Sequence, residues 1–79
     1  MTPEQLAALR SVDEETRWRV AEAYKARRRA GETEFPATMS ARLALARDRP
    51  DLSDEQIGAV VTSIILWVAG EHNDWLWHE

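Results

Sequence analysis

The residue types best able to do chemistry crowd the stretch EHNDWLWHE, residues 71–79, which holds two histidines, three carboxylates and two tryptophans. If that stretch is helical, Glu71, Asp74 and His78 share one face at i, i+3 and i+7, and two carboxylates with a histidine can ligate a divalent ion. All three would come from one helix near a fraying end, and the HExxH spacing of a zinc protease is absent. They are a weak metal candidate, read here as solvated helix-end groups, and no cofactor is expected. His72 falls at the edge of an apolar face and is expected to be a hydrogen-bonded boundary residue.

Catalytic chemistry has less support. The chain has no cysteine, which removes disulfides, thiolate metal sites and a thiol nucleophile. It also lacks a glycine-rich phosphate loop and a nucleophile elbow, and a chain this short rarely encloses a pocket of several hundred Å3. The expectation is therefore no enzyme and no small-molecule substrate.

A second constellation is basic: Arg17, Arg19, Lys25, Arg27, Arg28 and Arg29, with Trp18 and Tyr24 available for stacking. Phosphate contacts dominate nucleic-acid affinity, so a nucleic-acid-binding protein is an alternative reading. Against it, these side chains spread round a helix with Glu22 among them, and the last four suit the negative end of the helix dipole. The segments flanking Arg49-Pro50-Asp51 superficially resemble a helix-turn-helix, but the second begins Asp54-Glu55-Gln56 and would repel phosphate. Charge is divided along the chain: residues 1–50 carry ten basic and eight acidic residues, whereas residues 51–79 carry six acidic and no basic ones. A small acidic inhibitor of the phage type, seated in another protein's basic groove, is a further alternative, by analogy of charge and size.

Four helices must position these groups. Thr2-Pro3-Glu4-Gln5 offers a threonine cap, proline at the first helical position and glutamine at the third, giving a short helix to about Arg10. Ser11 with Glu14 predicts a second capping box, for a helix that runs to about Ala30 and stops at Gly31. Residues 32–36 read as a loop, because proline pushes Phe35 away from helical geometry, and Phe35 is expected to tuck that loop onto the core. A third helix over residues 37–48 would bury Met39, Leu43 and Ala46, with Leu45 beside them. Ser53 with Gln56 is a third capping box, Leu52 is placed to staple onto Ile57, and the fourth helix should run from Asp54 to at least His72.

Along that helix Ile57, Val60, Val61, Ile64, Ile65, Trp67 and Val68 form the core face, and at ~100° per residue Trp75 and Leu76 keep the same register. The opposite side carries Ala59, Thr62, Ser63, Leu66, Gly70 and Trp77, small residues around two large apolar ones. It would meet either the chain's own first or third helix or a partner. Trp18, Trp67, Trp75 and Trp77 are more tryptophan than one small core requires, and tryptophan is enriched at interface hot spots. Trp67 and Trp75 also fit the core, whereas the wheels leave Trp18 and Trp77 off the main apolar faces.

The expected architecture is thus all-α, a single domain over residues 1–79. It would be a compact bundle of three main helices plus a short N-terminal one, with the hydrophobic C-terminal helix central. The expected function is a non-enzymatic accessory or regulatory protein-interaction module. It would self-associate as a homodimer through Ala59, Ser63, Leu66, Trp67, Gly70, Trp75 and Trp77. A cytoplasmic location is expected, because the N-terminus lacks a signal-like start and the longest apolar run, residues 57–70, is too short for a bilayer span of about 20 residues. Nine arginines to one lysine suggest a GC-rich coding sequence of the bacterial or phage kind.

Overall fold

A computed structural model of the chain describes residues 1–77. The described residues form five helices and no strand: α1 (Pro3–Arg10), α2 (Glu14–Arg29), α3 (Glu34–Asp48), α4 (Asp54–Glu71) and α5 (Asn73–Trp77). The all-helical class is as the sequence suggests, and no helix among the described residues is long and apolar enough to cross a membrane.

The capping boxes of α1 and α4 form as expected. Thr2 Oγ1 accepts from the Gln5 amide at 3.2 Å while Gln5 Oε1 accepts from the Thr2 amide at 2.9 Å. Ser53 and Gln56 repeat that exchange at 3.1 and 2.8 Å, so each helix satisfies two of its orphan amides. At α2 the cap is Asp13, not Ser11. Ser11 closes α1, its hydroxyl donating to the Ala8 carbonyl at 2.6 Å, and Val12 is drawn into the core. That leaves the extended backbone to Asp13, whose Oδ1 accepts from the Thr16 amide at 2.9 Å, a bond that lowers the Asp13 pKa. The far end of α2 closes through Gly31 at φ 87°. Its amide reaches the Arg28 carbonyl at 3.1 Å, and the Glu32 amide reaches that of Arg27 at 3.2 Å, a paired arrangement that needs a left-handed residue.

The start of α3 differs from expectation. The helix begins at Glu34, so Phe35 and Pro36 lie in its first turn. Proline's missing amide costs nothing there, because the first four helical amides have no internal partner. Phe35 consequently stands on the helix and projects outward, exposed, instead of tucking onto the core. The buried face is Ala37, Ala41 and Leu45, which opposes α2, and not the expected Met39, Leu43 and Ala46. Ala46 is half-buried, whereas Met39 and Leu43 are exposed. Alanines let α2 approach closely, so Val20, Ala21 and Tyr24 fill the gap that larger residues on α3 would have occupied. Burial raises the pKa of Tyr24.

Helix α4 packs against α1, α2, α3 and α5, and Ile57, Val60, Val61, Ile64, Trp67 and Val68 are buried. Ile65 is only half-buried. The single long helix expected here breaks at His72, whose backbone (φ −129°, ψ 37°) leaves helical geometry. Asn73 supplies the cause: its side-chain amide donates to the Ala69 carbonyl at 3.2 Å, giving the end of α4 an alternative partner. The turn folds α5 back onto α2, so Leu76 is buried and Trp75 packs against the core, but by a bend and not by helical register.

Candidate interaction surfaces

The proposed contact residues of the C-terminal helices fall into two groups. Ser63 and Trp67 are interior: Ser63 is fully buried, its hydroxyl donating to the Ala59 carbonyl at 2.8 Å, and Trp67 lies in an aromatic cluster. The small-residue face meets the chain's own first helix. A groove between α1 and α4 is lined by Glu4, Gln5 and Ala8 on one side and Gly58, Ala59, Thr62 and Ser63 on the other. Trp75 is half-buried, whereas Ala59, Leu66, Gly70 and Trp77 are exposed. The covering expected of a partner is thus provided in part by α1, and Leu66 and Trp77 are the large apolar groups left in water.

The basic helix has an internal role that sequence reading missed. Trp18 is half-buried, with its ring centroid 4.9 Å from Trp67, 4.9 Å from His72 and 5.0 Å from Trp75. His72 stands edge-on to Trp67 at 4.8 Å, so its environment is aromatic. Cations of α2 lie over these rings: Arg17 Cζ is 5.8 Å from Trp67, Lys25 Nζ 4.3 Å from Trp75 and Arg28 Cζ 5.6 Å from Trp77. The spacing of Trp18, Lys25 and Arg28 at i, i+7 and i+10 is the signal that places them on one side of α2.

The other cations are also engaged. Arg17 Nε donates to the Val12 carbonyl at 3.2 Å. Arg19 pairs with Glu15 at 2.8 Å and with Asp48, whose carboxylate raises the arginine's pKa. Arg27 pairs with Glu32 at 3.1 Å, and Arg28 donates to the Glu32 carbonyl at 3.2 Å. Arg29 also has an interaction partner. The six cations therefore do not form one free stripe along a groove, which is the arrangement that phosphate binding favours.

The metal candidate loses its geometry. The break at His72 puts Glu71 at the end of α4 and Asp74 in α5, so they no longer share one helix, and His78 lies outside the described residues. Among the described residues no three His, Asp or Glu side chains are grouped to hold a metal ion.

An exposed apolar stripe runs along α3. Phe35, Met39 and Leu43, spaced i, i+4 and i+8, are 74%, 42% and 58% exposed. At ~100° per residue they form a stripe about 80° wide, opposite the buried Ala37, Ala41 and Leu45. A cleft along it is lined by Arg27, Phe35, Pro36, Met39, Ser40 and Leu43. A second cleft continues it through Arg42, Ala46, Asp54 and Ile57.

Arginines edge the stripe's C-terminal half. Arg42 is laid across α4, its Nη2 donating to the Asp54 carbonyl at 3.4 Å. Its guanidinium fills the space above Gly58, where an added Cβ would come within 2.9 Å of Nη1. Arg47 stands on the other edge, exposed and with no ion pair among the described residues. Single exposed apolar residues are ordinary, but three aligned along one helix are not explained by the chain's own packing. No protein-family model, no curated protein sequence and no solved structure matches this chain.

Proposed function

We propose that the chain is a non-catalytic protein-interaction module, an all-α bundle built round α4, whose contact surface is the exposed face of α3. The observation that carries this reading is the Phe35, Met39 and Leu43 stripe, three large apolar side chains held in water on a helix whose opposite face is fully packed. An amphipathic partner laid along this face would find anchors at i, i+4 and i+8 with arginines at the rim, which is the usual anatomy of helix-in-groove recognition. Leu66 and Trp77, the exposed remainder of the C-terminal set, offer a smaller second contact. An accessory or regulatory role fits a small chain that presents a surface and brings no reactive group to it.

The test is a photo-crosslinking amino acid at Met39, with the same group at exposed Glu22 on α2 as the control, in cells that make the protein. Position 39 should yield a discrete covalent adduct with a protein and position 22 should not. Equal yields, or none from position 39, would remove the reading.

A further inference from the structure

Helices α4 and α5 are one helical run interrupted at one residue. The His72 amide still donates to the Val68 carbonyl at 2.9 Å, and the Leu76 amide still donates to the His72 carbonyl at 3.0 Å. The helical hydrogen-bond pattern therefore reaches His72 from both sides. Between the end of α4 at Glu71 and the start of α5 at Asn73, His72 alone leaves helical geometry. Neither a proline nor a left-handed residue imposes the break. The Asn73 side chain holds it: its amide nitrogen occupies the Ala69 carbonyl, which the Asn73 backbone amide would take in an unbroken helix.

The same residues also suit the unbroken form. At ~100° per residue, Trp75 stands about five whole turns beyond Ile57 and Leu76 about three beyond Ile65, so both would prolong the apolar face of α4. We propose that His72 is a hinge through which two copies of the chain exchange α5. Helices α4 and α5 straighten into one, and α5 of each copy docks on α2 of the other. The α3 face takes no part, so this exchange is independent of the interaction surface described above.

The contacts of α5 explain why a second copy is needed. Straightening within one chain withdraws Leu76 from the core and separates Trp75 from Trp18, so an open monomer is disfavoured. Exchange remakes those contacts between chains: Leu76 returns to a core, Trp75 stands edge-on to Trp18, Lys25 lies over Trp75 and Arg28 over Trp77. It also restores helical hydrogen bonding at both hinges. The opposing cost is the lost freedom of two separate chains, so the dimer is weak and forms towards millimolar concentration. Its formation is slow, because Leu76 must leave the core before it can enter another.

Asn73→Ala removes the competing side chain and places the best helix former at both hinges of the dimer. Asn73 is exposed, so the variant keeps its core, and circular dichroism checks this. Its association constant by sedimentation equilibrium should exceed that of the unsubstituted chain roughly tenfold to a hundredfold. In a dimer refolded from isotope-labelled and unlabelled chains, isotope-filtered NOEs should join Trp75 of one copy to Trp18 of the other.

A dimer in which Trp75 contacts Trp18 of its own chain alone would overturn the exchange, whatever surface joins the copies. An association constant unchanged by Asn73→Ala would overturn it too. So would a strict monomer for both proteins to near-millimolar concentration.

Discussion

Leu43 and Leu45 lie two positions apart on α3 and differ in what holds them, which makes them a sharp test of how the helix is rotated. Leu45 is fully buried, so Leu45→Ala removes three carbon groups from the core, about 2.4 kcal/mol at ~0.8 kcal/mol each. The cavity left behind raises the total to roughly 3–4 kcal/mol. Leu43 is 58% exposed, so the same substitution loses less than about 1 kcal/mol, offset slightly by alanine's better helix propensity. A chain of 79 residues has a total stability of roughly 4–12 kcal/mol, and each kcal/mol moves Tm by about 4–8 °C. Leu45→Ala should therefore lower Tm by about 12–32 °C and Leu43→Ala by less than about 8 °C. Thermal unfolding measures the shifts in Tm, and urea unfolding measures the free-energy losses. Equal losses, or a larger loss at Leu43, would mean that α3 presents the other face to the core, and the exposed stripe would not exist.

Three further outcomes follow from the helix ends. Ser53→Ala breaks the capping box of α4 and should cost about 1 kcal/mol by urea unfolding, with Ser53→Asp restoring most of it. Gly31→Ala should cost about 1–2 kcal/mol although no atom crowds the site, because the left-handed backbone itself is strained for any residue with a Cβ. The Thr16 hydrogen bonds to Asp13 and the Arg49 contact with Asp51 hold both carboxyls below the ordinary aspartate pKa. A carboxyl lowered in the folded state contributes stability above its unfolded pKa and loses it as pH falls through the folded value. The urea midpoint should accordingly fall as the pH drops below about 4, by less in Asp13→Asn, and an unchanged acid slope in that variant would remove Asp13 from the explanation.

The parts of the fold legible in the sequence were those written in local chemistry. Thr2 with Gln5 and Ser53 with Gln56 are short-range exchanges that need no tertiary partner, and Gly31 marks a backbone conformation that other residues avoid. The third helix was misjudged because it is apolar on two opposite faces. Periodicity finds a stripe but not which stripe is buried, and large residues on one side outweighed the alanines on the other. What decides is the close approach of α2, a tertiary fact. Pro36 misled for a related reason, since its cost vanishes in a first turn. At His72 the register extrapolation placed Trp75 and Leu76 on the core through a continuous helix, whereas the Asn73 side chain competes for a backbone carbonyl and turns the chain. Trp18 was set aside because its cluster is assembled from α2, α4 and α5 only after that turn.

The chain's two methionines allow the most direct measurement of the α3 surface as a contact site. Met1 and Met39 are both exposed, so peroxide should convert both to the sulfoxide in the dilute purified protein, with Met1 as an internal standard for Met39. In extract of the cells that make the protein, the rate at Met39 relative to Met1 should fall severalfold as the stripe is covered. A ratio that stays constant in extract would show that nothing sits on α3, and the stripe would be no interaction surface.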